Sequence, residues 1–133
     1  MTVTFKPEDL QNFTGTETYY KSNPLIGDIF HTDGIQHIAT NGGAWMVDLI
    51  ISHQFTKRVR ACEFQVWKFI VNAGDSSCRV TCEDGMRDYD RNAPLVTQDV
   101  QFTDLPFNVE LFLEYGSLDG VRPAQVILLP SEH

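Results

Sequence analysis

The sequence predicts an α+β fold: N-terminal helices packed on an antiparallel sheet of about five strands, in a single domain over residues 1–133. Three observations carry this. Helix-period segments fill the first half of the chain and strand-period segments the second, an order that points to α+β rather than alternating βαβ units. Residues 64–71 are apolar on both faces, with Trp67, Phe69 and Val71 on one and Phe64, Val66 and Ile70 on the other. Such a strand belongs inside a sheet, covered on at least one side. Finally, 133 residues suit one domain with a core that needs neither disulfides nor metal.

In chain order, residues 7–13 read as a short helix. Pro7 suits the first helical position, Glu8 and Asp9 favour the positive helix start, and Leu10 and Phe13 form one apolar edge. Thr14 and Glu17 have capping-box spacing and open a second helical turn through Lys21, which Ser22-Asn23-Pro24 stops. Residues 25–30 read as an apolar connector. Asp33, with Gln36 three residues on, starts another helix. Its stripe is Ile35, Ile38 and Ala39, and Asn41-Gly42-Gly43 ends it. Residues 44–53 form the strongest helix, apolar on most sides and hence largely buried, with Asp48 and Ser52 as a narrow polar strip. Lys57, Arg58 and Arg60 follow, where cations complement the helix dipole.

After the central strand, residues 72–76 are rich in turn formers. Cys78, Val80 and Cys82 alternate with Arg79 and Thr81 and make a hairpin with the central strand. Residues 83–94 form a long polar loop. Val96, Gln98, Val100 and Phe102 mark a third strand, and Val109, Leu111, Leu113 and Tyr115 a fourth with Glu110 and Glu114 facing water. Residues 125–129 are a fifth, too apolar to lie freely exposed, and Pro130 ends it.

No apolar run approaches the roughly 20 residues of a membrane span. Residues 1–6 lack the basic start and apolar middle of a signal peptide, so the expected compartment is the cytoplasm. Cys62, Cys78 and Cys82 make an odd count without framework spacing, as expected of buried, reduced thiols. Four positions along a strand is about 13 Å, out of disulfide range for Cys78 and Cys82.

The net charge is −8 and uneven: residues 1–61 hold six acids and five bases, whereas residues 82–120 hold nine acids against Arg87 and Arg91. Such a chain is not expected to bind nucleic acid or a membrane surface directly. The plainer reading of this charge is solubility; the sharper one is a basic protein partner, docked on Glu83, Asp84, Asp88, Asp90 and Asp104. The oligomeric state is not legible.

Other candidates carry less. His31, Asp33 and His37 form a His-x-Asp-x3-His pattern that would suit zinc or iron, or a small enzyme, if the three converge. The plainer reading is that Asp33 caps a helix and both histidines are partly exposed. Cys82 beside Glu83 and Asp84 is poorly placed to be a nucleophile, because adjacent acids raise a thiol pKa. Thr32-Asp33 and Thr103-Asp104, a repeated dipeptide at element ends, read as turn-shaping pairs. Asp48, inside an apolar helix, would need a partner if buried. No catalytic residue, cofactor or metal is expected.

The order of short blocks is more specific than any one of them. It runs Phe13-Thr14-Gly15-Thr16-Glu17, Tyr20, His31-Thr32-Asp33-Gly34, Ala44-Trp45-Met46-Val47-Asp48, Phe64-Gln65-Val66-Trp67, Cys82-Glu83-Asp84-Gly85, Phe102-Thr103-Asp104-Leu105-Pro106 and Leu128-Leu129-Pro130-Ser131-Glu132. Over roughly residues 10–132 this resembles a catalogued family of small bacterial and phage proteins, one of the domains of unknown function. The chain departs from that pattern at His31, where Tyr is expected, at Tyr19, where Trp is expected, and in a longer segment over residues 86–95. The resemblance brings no activity. It implies a cytoplasmic accessory protein carried on mobile elements. Together with the acidic half, it leads to the expectation of a non-enzymatic phage or mobile-element factor that binds a host protein complex, with inhibition one consequence of binding.

Overall fold

The central strand lies inside the sheet, as its two-sided pattern demands. The computed structural model describes residues 3–15, 18–23, 26–72, 74–85, 94–101, 103–116 and 124–133. The strands are β1 (Tyr20–Asn23), β2 (Ile26–His31), β3 (Phe64–Asn72), β4 (Ser77–Asp84), β5 (Val96–Val100), β6 (Val109–Gly116) and β7 (Ala124–Leu128). They form one seven-stranded sheet in the order β1-β2-β7-β6-β3-β4-β5. β3 pairs antiparallel with β4, Trp67 opposite Cys82, and with β6, Trp67 opposite Leu111.

Two strands beyond the expected five come from the segment read as a helical turn and a connector. Residues 20–23 and 26–31 are strands, while Thr16, Glu17, Pro24 and Leu25 lie outside the described residues. The reason is β7. All five of its residues are buried, so it needs a neighbour on each side. β6 supplies one antiparallel, and β2 supplies the other in parallel, with Ile29 opposite Gln125 and His31 opposite Ile127. The sheet is therefore mixed. β4 also runs on to Asp84, two residues into the predicted loop, and residues 86–93 and Phe102 lie outside the described residues.

The helices are α1 (Pro7–Gln11), α2 (Asp33–Ile38), α3 (Ala44–His53) and α4 (Lys57–Arg60). α2 and α3 are joined by a wide turn over Ala39–Gly43, broken at Asn41 and at Gly42, whose φ of 96° is the left-handed conformation that glycine adopts without cost. A Cβ on Gly43 would sit 2.3 Å from Ile38 Cγ2, so this turn can close tightly only on glycine. Asp48 and Ser52 face solvent, so Asp48 is no buried carboxylate.

The helices cover one sheet face. Ile35, Ile38, Met46 and Ile50 meet Trp67, Phe69, Leu111, Leu113 and Ile127 there. Trp45 packs edge-on against Phe69 at 5.8 Å. Between these layers lies a polar chain. Gln54, Gln65 and Gln125 are 1%, 0% and 3% exposed. Gln54 Nε2 donates to Gln65 Oε1 and to Ile50 O, while Gln65 Nε2 donates back to Gln54 Oε1 and to Val59 O and Cys62 O. Trp67 Nε1 donates to Gln65 Oε1, and Gln125 Nε2 to Gln54 Oε1. Among the described residues, Gln125 Oε1 is the buried side-chain acceptor that has no partner.

Removing Gln65 strands several buried donors and acceptors at once. Each stranded group costs about 1–3 kcal/mol. Gln65→Ala is expected to lower unfolding free energy by roughly 3 kcal/mol or more, measured by urea denaturation. A loss no larger than that of an exposed glutamine such as Gln101→Ala would show the network to be dispensable.

Candidate functional site

The sequence candidates meet most closely at the corner where β1, β2 and α2 join. His31 ends β2 on the helix side of the sheet and is 6% exposed. Its Nδ1 lies 2.7 Å from Ser22 Oγ and its Nε2 lies 2.5 Å from Gln36 Oε1. Gln36 Oε1 can only accept, so Nε2 carries the proton and Nδ1 takes the hydroxyl hydrogen of Ser22. Tyr20, opposite His31 in the ladder, stacks on the imidazole at 5.4 Å and 15°. The Tyr20 hydroxyl titrates above its ordinary range through desolvation, then through its hydrogen bond to Asp33 and the charge of that residue.

His31, Asp33 and His37 therefore do not converge. His31 turns to Ser22 and Gln36, and Asp33 to Tyr20. His37 turns the other way, with Nε2 3.4 Å from Asp9 Oδ2 and its ring 5.5 Å from Phe13. Asp9 is held below its ordinary carboxylate value, chiefly by the backbone N–H of Lys6. Among the described residues, no group of three or more His, Cys, Asp or Glu side chains is placed to hold a metal ion.

Nor is Asp33 the cap of α2. Thr32 is the N-cap, and the cap group arrives from the other end of the chain. Glu132 accepts from Gly34 N–H at 3.1 Å, from Thr32 Oγ1 at 2.6 Å and from Leu129 N–H at 3.0 Å. Thr103 does shape its turn locally, accepting from Leu105 N–H. The two Thr-Asp dipeptides thus serve different ends.

The acidic candidates are spread out. Glu83 lies on β4 and pairs with Lys68 at 3.3 Å. Asp84, the last residue of β4, stands on the opposite face near Cys62. Asp104 follows Thr103, whose N–H bonds Ser76 O at the far end of the same strand. Eight residues of strand separate these positions by roughly 25 Å. Asp88 and Asp90 lie outside the described residues.

Cys62, Cys78 and Cys82 are free and buried. Burial pushes all three thiols up, Cys62 to about 11 with help from Asp84, and Cys82 further still. Ser22 and Gln36 are the residues that sequence reasoning missed. The local pattern marks Ser22 only as a helix stop and Gln36 as a capping partner. The signal that could have found them is the pairing of two short extended runs, residues 20–23 and 26–31.

A family model described as a family of unknown function, DUF6876, matches residues 4–133. No curated protein and no solved structure matches the chain. No helix among the described residues is long and apolar enough to cross a membrane.

Two outcomes follow from this geometry. Glu132→Ala is expected to destabilise the fold by about 1–2 kcal/mol, the usual range for a lost cap, read by thermal or urea unfolding; an unchanged midpoint would mean that water replaces the carboxylate. The thiols are expected to label slowly in the native state, since they are buried and burial holds the Cys62 thiol well above its ordinary range. Stability should fall as pH rises above 9, because unfolded thiols then lose protons that the folded ones keep. Thiol labelling as fast in the native state as in urea would contradict the burial.

Proposed function

Since the chain belongs to this family of unknown function over nearly its whole length, we propose a function from the chain's own geometry. It is a small acidic interaction module that binds a basic protein partner. The phage or mobile-element setting implied by the resemblance, with a host complex as target, is part of the same proposal.

One observation carries the reading. The helices lie on one face of the sheet, and among the described residues only His133 covers the other face across β3, β4, β5 and β6. Ile70 is 44% exposed there, beside a cleft of about 500 Å³ that it lines with Arg79 and Asp99. Phe64, Val66 and Phe112 are half-buried on the same face. Phe64 packs edge-on with Phe112 at 5.0 Å and stacks on His133 at 5.2 Å. Around this apolar strip stand Glu83, Asp99, Glu110 and Glu114. Lys68 and Arg79, the bases among them, are already engaged with Glu83 and Asp99. A half-buried apolar strip with an acidic rim suits a basic surface that brings its own apolar anchor.

Electrostatic steering makes the test a kinetic one. With the captured partner in hand, replacing Glu83, Glu110 and Glu114 by Gln is expected to slow association roughly tenfold at low salt and to flatten its salt dependence. If neither the rate nor its salt dependence moves, the acidic rim is a solubilising feature and the partner docks elsewhere.

A further inference from the structure

At the opposite edge of the sheet, five places from β4, the corner around His31 holds an arrangement that the binding reading does not use. We infer that Ser22 is a nucleophile toward carboxylic esters, with His31 as its general base and Gln36 as the residue that positions the imidazole.

The inference rests on three linked observations. First, Ser22 Oγ, His31 and Gln36 form one directed chain of hydrogen bonds, 2.7 and 2.5 Å long. Its last member fixes the tautomer, so the free lone pair of the ring points at the serine hydroxyl. Nucleophile, base and orienting group in that order are what an activated serine requires. Second, the base is shielded and the nucleophile is not. His31 lies buried beneath Tyr20, whereas Ser22 is half-exposed on β1, the outermost strand, which among the described residues pairs on one side only. Third, Ser22 sits where the β1–β2 register shifts, between Lys21 opposite Phe30 and Asn23 opposite Ile26. Such irregularities in a ladder re-aim side chains and recur beside reactive groups.

The chemistry balances without a co-reactant beyond water. Ser22 Oγ attacks the ester carbonyl carbon while its proton passes to His31 Nδ1. The tetrahedral adduct collapses, the C–O bond to the alcohol breaks, and the leaving oxygen takes the proton back from Nδ1. Water, deprotonated by His31, then attacks the acyl-Ser22 carbonyl, releases the carboxylic acid and restores the hydroxyl. Gln36 offers the imidazolium a neutral carbonyl in place of a carboxylate, so the charge that forms on the ring is only partly met. A carboxylate at position 36 would meet it more fully.

The full chain is treated with p-nitrophenyl acetate, and acetylated residues are located by tandem mass spectrometry. Ser22 is expected to acetylate about a hundredfold faster than the exposed serines Ser52, Ser76 and Ser131, the range that a positioned general base supplies. His31→Gln should bring Ser22 down to their level. Gln36→Leu should slow it, and Gln36→Glu should restore or exceed the original rate, a rescue that a merely structural role of Gln36 would not produce. Acetylation of Ser22 no faster than of the three exposed serines in the unaltered protein overturns the inference, whatever the variants do to folding. Loss of this reactivity leaves the docking proposal standing, because the acidic residues lie at the other side of the sheet.

Discussion

The buried amide chain of Gln54, Gln65 and Gln125 is the constraint on which the rest of the structure turns. An amide both donates and accepts, so three of them can link elements far apart in sequence, with Gln125 Oε1 the one acceptor of the chain left without a partner among the described residues. Gln54 stands at the C-terminal end of α3 and answers the carbonyl of Ile50. Gln65, on β3, answers the carbonyls of Val59 and Cys62 where α4 ends. Helix ends always leave carbonyls to be satisfied; Gln65 meets those at the end of α4 from the sheet, and Gln54 meets that of Ile50 from the end of α3 itself. The helices therefore have one height and one register over β3 and β7. An apolar core alone would let them slide, since hydrophobic burial has no direction.

That arrangement makes the two sheet faces unlike. On the helix side, Trp67, Phe69 and Leu111 are wholly buried. On the other side the alternate residues of the same strands are left in part to water. The single-layer cover thus yields both a core and a free surface from β3 and β6, whereas β7 is buried on both faces. The chain ends reinforce the division. Thr4 N–H bonds Asn41 O beside the α2–α3 turn. Glu132 caps α2 on the helix side, and the next residue, His133, packs on Phe64 and Phe112 on the other.

The edges of the sheet also differ. β5 is tied to the helix layer by His53 Nε2, 2.6 Å from Gln98 Oε1. β1 is tied through Ser22, His31 and Gln36, so its anchor is itself a donor–acceptor chain that ends at a half-exposed hydroxyl. Holding an edge strand in place and priming a serine call for the same geometry, and reactivity distinguishes them.

By itself the sequence determined the internal place of residues 64–71, the hairpin that follows, the last two strands and the strong helix over residues 44–53. Each is written in local periodicity, and periodicity is a property of neighbouring residues. It also determined that Cys62, Cys78 and Cys82 would be shielded, since the strand phase of Cys78 and Cys82 points inward. Only the tertiary structure decided that residues 20–31 are strands. Tyr20, Ile26 and Ile29 fit a helix or a strand equally well until the bare edge of β7 selects a partner. Only the tertiary structure decided what His31, Asp33 and His37 do. Their spacing suggested one site, but His31 and Asp33 are partnered from β1 and His37 from α1. The cap of α2 is the plainest case. Gln36 stands at the local capping position, yet Glu132, 98 residues from Gly34, holds the helix start. A hydrogen bond across that separation is set by how the layers pack, and no window of neighbouring residues contains it.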